Sequence, residues 1–217
     1  MNLSSLIKQY FPSVEEEVTI DVFDEKTIDA VYKHVVQILM QHMDIETTVL
    51  EAFGYCFYEI LDNVIIHTDK QLGTVLTHYN PNAHTLSILV ADDGIGVRAS
   101  LAKNEKYSGI AEEEALRICI EDKVTDGVGM GFGLYSASLL DQKVGLQFEI
   151  RSGNYTMQVT DGVVSTRESD FWQGTIVYMQ LQTDKEINPQ EVVAYRTDVA
   201  DEFDTLFLND NELEQLW

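Results

Sequence analysis

Basic residues are scarce in this sequence: 14 Lys and Arg stand against 37 Asp and Glu, which gives a formal net charge of −23. A surface this acidic repels nucleic-acid phosphates and anionic lipid head groups. The composition therefore argues against binding nucleic acid over a broad surface. A local pocket for one small phosphate ligand stays open.

Cysteines and long apolar runs are scarce too. Cys56 and Cys119 lie in apolar stretches and form no C-x-x-C pair, which favours buried, reduced thiols and a cytoplasmic setting. No stretch approaches the ~18 apolar residues of a membrane helix, and the first residues lack the pattern of a signal peptide. We therefore expect a cytoplasmic protein that is not associated with a membrane.

The order of helical and strand patterns predicts the fold class. Helical patterns come early and a run of strand patterns comes late, with no βαβ repetition. This order predicts an α+β fold, a two-layer sandwich in which a mixed, mostly antiparallel sheet carries helices on one face. The chain divides into a leader over 1–17, one domain over 18–183 and an acidic extension over 184–217.

The extension combines acidic and large apolar residues. It holds ten Asp or Glu against Lys185 and Arg196. Its apolar residues include Tyr195, Phe203 and Trp217, which are too many for a purely solvated tail. We expect it to pack on the domain or on a partner; a disordered acidic tail is the alternative.

A polar stripe marks the long apolar helix predicted over 46–66. Glu59, Asn63 and His67 recur every four residues, so they share one helical face. Polar groups on a buried helix need partners, either from the protein or from a ligand. An amphipathic helix that shows its wet side to solvent is the alternative interpretation.

Two glycine-containing segments follow. Asp92, Gly94 and Gly96 stand at the end of a predicted strand, where a carboxylate can accept a hydrogen bond from an amino group, although Asp-Gly is also an ordinary turn. Four alternating glycines over 127–133 then run into a predicted helix, a pattern that suits phosphate binding by free N–H groups. The second segment fits neither G-x-G-x-x-G nor the P-loop.

In order and spacing, these motifs resemble the GHKL superfamily of ATP-binding domains, which includes the histidine kinases. The resemblance covers about residues 18–183. Its four parts are Glu59…Asn63 as the N box, Asp92-x-Gly94-x-Gly96 as the first glycine box, Gly129-x-Gly131-x-Gly133-Leu134 as the second, and Gly174-Thr175 before a late strand.

The resemblance implies a site for ATP and Mg²⁺. Glu59 would act on the attacking group as the catalytic residue, Asn63 would hold the metal, and Asp92 would accept from the adenine amino group. Residues 97–128 would form a mobile lid. The remaining nucleotide-binding residues would be Gly94, Gly96, Gly127, Gly129, Gly131, Gly133, Leu134 and Thr175. Local positive charge could come from Arg98, Lys103, Lys106 and Lys123.

Within that superfamily, the arrangement resembles the stand-alone kinases of the anti-sigma-factor type. About 17 residues precede the first predicted strand and 34 follow residue 183, so we expect neither the phosphoacceptor helix of the histidine kinases nor a transducer domain. The resemblance implies a regulatory protein with a protein partner and slow ATPase or serine/threonine kinase activity. A non-catalytic ATP-binding module, a subunit of a larger assembly and a homodimer stay open.

Overall fold

The computed structural model describes residues 3–12, 14, 17–42, 44–67, 72–128, 131, 133–160 and 162–193. The strands are β1 (Thr19–Asp24), β2 (Leu72–Asn80), β3 (Thr85–Asp92), β4 (Gly145–Thr160) and β5 (Val163–Gln182). The helices are α1 (Leu3–Tyr10), α2 (Ile28–Met40), α3 (Thr47–His67), α4 (Val97–Leu101), α5 (Glu112–Ile118), α6 (Gly133–Val144) and α7 (Pro189–Val193), with a 3-10 turn at Glu105–Tyr107. None of these described helices is both long and apolar enough to cross a membrane.

The five strands form one sheet in the order β1-β2-β3-β5-β4. Each neighbouring pair of described strands is antiparallel. The prediction of an α+β fold is therefore confirmed, and the sheet is antiparallel throughout its described strands, where we expected a mixed, mostly antiparallel one. The central position of β3 and β5 brings the end of β3 beside residues 174–176 of β5, which matters for the site described below.

The main core lies between the sheet and the longer helices. Phe53, Phe57 and Leu61 of α3 are almost fully buried, and they belong to one cluster with Ile88 and Val90 of β3. Burying such a side chain stabilises the fold by about 1.5–3 kcal/mol. Helix α3 is apolar nearly all round because neighbours cover most of its surface. This packing fixes the position of its polar residues.

A second, smaller core lies on the opposite face of the sheet. There Leu6 of α1 and Phe11 cover Leu89 and Ala91 of β3. The expectation that helices lie on one face holds for the longer helices and is wrong for α1. Strand β3 carries apolar side chains on both faces of the sheet, so both faces must be covered. Helix α1, which belongs to the expected leader, covers the second face.

Strands β4 and β5 form a hairpin longer than the sequence predicts. We expected the last strand to begin near Gly174, whereas β5 begins at Val163. Residues 165–170 are polar and half-buried or exposed, because this outer half pairs with β4 alone. The apolar alternation that marks a buried strand is therefore missing there.

The expected lid is largely packed into the domain. Ala115 and Leu116 of α5 are buried in the main core. The Glu112 carboxylate also accepts hydrogen bonds from the main-chain N–H and the side-chain amide of Asn154 in the hairpin. The side-chain nitrogen lies 3.0 Å from Glu112 Oε2. Residues 97–126 are thus a folded part of the domain.

The described part of the acidic extension packs on the helices. Val192 of α7 is buried in the main core, and Glu191 forms an ion pair with Lys143 of α6. Over its described residues, the extension therefore packs on the domain, as we expected. The rest of the extension, from residue 194, lies outside the described residues.

Candidate functional site

A cavity of about 410 Å³ lies between α3, α4, the start of α6, the end of β3 and the middle part of β5 that includes Thr175 and Val177. This volume lies in the range of ~300–1,000 Å³ that is usual for small-molecule sites. The cavity brings together most of the residues that the motifs single out. Those that line it are Glu59, Asn63, Asp92, Gly96, Gly131, Gly133, Leu134 and Thr175.

Three of the predicted binding residues are not among the described residues that line the cavity. Gly94 is not among the lining residues, but its N–H donates to the Asp92 carboxylate at 2.7 Å. Gly127 is not among them either; it has a φ of 100°, and its N–H donates to the hydroxyl of Thr125. Gly129 lies outside the described residues.

The start of α6 meets the polar face of α3. A Cβ atom on Gly133 would lie 3.0 Å from the Glu59 Cβ and 3.1 Å from the Asn63 side-chain nitrogen. Glycine at this position therefore lets the helix start come close to both side chains. Because the first N–H groups of a helix lack intrahelical partners and carry partial positive charge, α6 directs an anion-attracting end at the cavity.

Glu59 occupies a setting that favours its neutral form. Burial, together with the nearby negative charge of Asp62, raises its pKa to about 7. The Tyr55 hydroxyl donates to Glu59 Oε1 at 3.2 Å. A carboxyl group with a pKa near neutrality can both take and return a proton at physiological pH, as general acid–base chemistry requires.

Asp92 is a buried acceptor at the end of β3. Burial raises its pKa to about 6, although hydrogen bonds from the main-chain N–H groups of Gly94 and Thr175 counter part of this effect. A carboxylate buried in a cavity wall is suited to accept a hydrogen bond from a ligand amino group. Gly174 is required beside it, since a Cβ there would lie 2.5 Å from the Asp92 main-chain oxygen.

Side chains of β4 and β5 hold the loop after Asp92 in place. The Trp172 indole N–H donates to the Asp92 main-chain oxygen at 3.0 Å, and Gln173 Nε2 donates to the Gly94 oxygen at 2.5 Å. The Ser152 hydroxyl accepts from the Val97 N–H at 3.0 Å. Sequence reasoning missed these residues; the only available signal was that Trp172 and Gln173 directly precede the Gly174-Thr175 pair.

A second group, of which the sequence singled out only His67, surrounds Asp126, which lines the cavity and is buried. Its Oδ2 lies 2.9 Å from His67 Nδ1 and accepts from the Ser100 hydroxyl at 3.2 Å. Its Oδ1 accepts from the Val128 N–H at 3.0 Å. Burial alone would raise the pKa of Asp126, but these partners together lower it. No local motif marks this residue, because its side-chain partners, His67 and Ser100, are distant in sequence.

The cavity is acidic. Its lining includes four carboxyl groups and, among the described residues, neither Lys nor Arg. These acids are Glu59, Asp62, Asp92 and Asp126. The four basic residues that we expected to supply positive charge do not line the cavity: Arg98 donates to the Ile110 oxygen, Lys106 lies over the Tyr107 ring, Lys123 pairs with Asp122, and Lys103 is exposed.

The residues present fit a magnesium–phosphate ligand better than a metal held by protein alone. No group of three or more His, Cys, Asp or Glu suited to a metal is found among the described residues. Mg²⁺ commonly takes one or two protein oxygens and fills its other positions with phosphate and water. The Asn63 amide, beside the start of α6, matches that need.

Comparison with known proteins adds no family to these observations. No protein-family model matches the chain, and no curated protein matches its sequence. The resemblance to the GHKL superfamily therefore stays a prediction. The geometry and chemistry of the cavity are the basis for assigning a function.

Proposed function

We propose that this chain is an ATP-binding regulatory protein of the GHKL type, with slow ATPase or protein serine/threonine kinase activity. The observation that carries the proposal is the content of one cavity. A buried carboxylate, Asp92, shares it with Glu59 and Asn63, which stand one helical turn apart. The start of α6 opens onto the same space and is suited to phosphate.

Asp92 would bind the base of the nucleotide. Its carboxylate accepts hydrogen bonds and cannot donate them when ionised, so it selects a ring that carries an amino group. Adenine carries such a group, whereas guanine has a carbonyl oxygen at the same ring position. Gly96, with a φ of 79° and no space for a Cβ beside the Ser152 hydroxyl, allows the chain to come close to the base.

Asn63 and the start of α6 would bind the phosphates. Gly131 and Gly133 line this part of the cavity, so main-chain N–H groups can approach a phosphate without obstruction by side chains. Mg²⁺, held in part by the Asn63 amide oxygen, would neutralise phosphate charge. This neutralisation matters because the cavity itself is acidic.

Glu59 would take a proton from the attacking water or hydroxyl group. Its raised pKa places it where a general base works best near neutral pH. Tyr55, one helical turn earlier, orients the carboxyl group through its hydrogen bond. The receiving group, water or a protein hydroxyl, decides between an ATPase and a kinase.

A non-catalytic nucleotide-binding module is the second candidate. The lack of Lys and Arg among the described lining residues favours it, since phosphoryl transfer is usually accelerated by positive charge beside the transferred group. In both cases the nucleotide would control the binding of a protein partner. The buried free thiols of Cys56 and Cys119 fit a reducing, cytoplasmic setting.

Calorimetric titration with ATP, ADP and GTP, each with and without Mg²⁺, tests the proposal. The protein should bind ATP and ADP, and bind ATP more tightly with Mg²⁺. Asp92→Asn should weaken both by about ten- to a hundred-fold, the value of a charge-assisted hydrogen bond. Asp93→Asn is the matched control, because it removes the same charge from a neighbour that does not line the cavity. Absence of binding to either adenine nucleotide would overturn the proposal.

A further inference from the structure

His67 completes the polar face of α3 but has no part in the chemistry described above. It is the last residue of α3, it lines the cavity, and its side chain is mostly buried. Its Nδ1 lies 2.9 Å from the carboxylate of Asp126. This contact joins the end of the helix that carries Glu59 and Asn63 to the segment that leads into the glycine-rich stretch.

Asp126 is the meeting point of three parts of the structure. His67 approaches it from α3, the Ser100 hydroxyl from α4, and the Val128 N–H from the glycine-rich stretch itself. Its side chain is 1% exposed, so it depends on these donors in place of water. Loss of one donor leaves the buried carboxylate with fewer hydrogen bonds. The segment at residues 126–128 is then held less firmly in this position.

The segment needs such an anchor because of its composition. Glycine has the largest backbone entropy of any residue, so a glycine-rich stretch does not hold one conformation by itself. Gly127 follows Asp126 directly, and both Gly127 and Gly131 have positive φ angles, of 100° and 74°. The Asp126 carboxylate lies where it can fix the start of this segment to helix α3.

We propose that the hydrogen bond between His67 and Asp126 is a tether that holds Gly127 and Val128, the start of the glycine-rich stretch, against α3, and so positions the chain where it enters the phosphate site. His67 and Asp126 are then positioning residues. The inference rests on the proposed function for the identity of the ligand. The tether itself is a property of the protein without ligand and can be measured there.

The first measurement is amide hydrogen exchange of the ligand-free protein. His67→Ala should raise the exchange of the Gly127 and Val128 amides and leave that of the central strand β3 unchanged. His34→Ala is the matched control, because His34 makes the same kind of contact, 3.0 Å to Asp21, and does not line the cavity. It should leave exchange at Gly127 and Val128 unchanged.

The second measurement is the affinity for Mg-ATP. His67→Ala should weaken binding by about ten-fold or more, as expected for loss of a hydrogen bond to a charged group. His67→Asn places a donor at nearly the position of Nδ1, so it should bind Mg-ATP almost as tightly as the parent protein. If His67 only filled space, His67→Asn would bind as weakly as His67→Ala. Asp126→Ala also removes the bonds from Ser100 and Val128, so it should weaken binding more than His67→Ala does. The two losses should not add in full in the double variant, because both include the same interaction.

The results separate the tether from the proposed function. Raised exchange at Gly127 and Val128 in His67→Ala supports the tether even if the parent protein binds no nucleotide, an outcome that would overturn only the proposed function. Unchanged exchange overturns the tether even if nucleotide binds. Fully additive losses in the double variant, or failure of His67→Asn to restore affinity, also overturn it.

Discussion

The indole N–H of Trp172 donates to the main-chain oxygen of Asp92 at 3.0 Å. One residue of β5 thus contacts the residue whose carboxylate lines the cavity. Trp172 also packs against the smaller core on the opposite face of the sheet, which includes Leu6 of α1. Trp172 therefore contacts both Asp92 and this smaller core, so its indole is well placed to respond to a change at Asp92.

We predict that the fluorescence of Trp172 reports nucleotide binding. A nucleotide that bonds to the Asp92 carboxylate changes the charge and polarity close to the indole, so its emission should shift in position or intensity. The chain has one other tryptophan, Trp217. Titration of the Trp217→Phe variant with Mg-ATP isolates the signal of Trp172.

The matching control is Trp172→Phe, which keeps Trp217. It should show no saturable change with Mg-ATP. If this variant carries the signal and Trp217→Phe does not, the contact between Trp172 and Asp92 does not respond to the ligand.

The pH dependence of stability should reflect Glu59 and Asp92, two of the carboxyl groups whose pKa is raised. The pKa of Glu59 rises from 4.5 to about 7 and that of Asp92 from 3.8 to about 6. The native state therefore binds protons more tightly than the unfolded state does, and these groups lower the free energy of unfolding as pH rises from about 4 to about 7. Asp126 acts in the opposite sense, but its contribution is lost only as pH falls below its ordinary pKa of 3.8.

Urea unfolding of the nucleotide-free protein at pH 5, 6, 7 and 8 checks this sign. Asp92→Asn and Glu59→Gln should each flatten the decline. Nucleotide affinity should change in the opposite direction and rise between pH 5 and 7, because the ionised Asp92 is the better acceptor. A decline of unchanged slope in Asp92→Asn would contradict the assignment.

The helical half of the site could be predicted from the sequence. Glu59 and Asn63 lie four residues apart on a helix, so their shared face follows from helix geometry alone. The glycine pattern before α6 likewise indicates an approach of main chain to a ligand. These features are local, and local periodicity is what a single sequence carries most clearly.

The other half depends on contacts between distant residues. Thr175 reaches Asp92 because β3 pairs with β5, with Ala91 opposite Ile176, and no local pattern specifies that register. Asp126 finds His67 across 59 positions. The resemblance to the GHKL superfamily placed the basic residues of the expected lid near the ligand. In the structure, Arg98 donates a hydrogen bond to the Ile110 oxygen instead.

Gly174 should be the glycine most sensitive to substitution beside Asp92. It has a φ of 96°, and a Cβ would lie 2.5 Å from the Asp92 oxygen and 2.7 Å from the Gly94 nitrogen. Gly174→Ala should therefore reduce the free energy of unfolding by about 1–3 kcal/mol through overpacking and weaken ATP as well. Gly109→Ala is the control, because no atom lies within 4 Å of a Cβ there. Equal stability of the two variants would show that the loop can move aside freely.

Glu59 and Asn63 should separate catalysis from binding. Asn63→Ala removes the neutral oxygen available to Mg²⁺, so Mg-ATP binding and turnover should fall together. Glu59→Gln keeps the size of the side chain beside Gly133 and removes the base, so affinity should stay within a few-fold while turnover falls by roughly 10²–10⁴. Glu51→Gln, at an exposed position of the same helix, should change neither quantity. Calorimetry gives the affinities, and phosphate release together with labelling of a partner protein gives the turnover.

If Glu59→Gln loses binding as fully as Asn63→Ala, the two roles are wrongly assigned. If the parent protein binds Mg-ATP without turnover under any of these conditions, Glu59 is a structural residue, and the cavity belongs to a binding module whose nucleotide acts only through the shape it gives the protein.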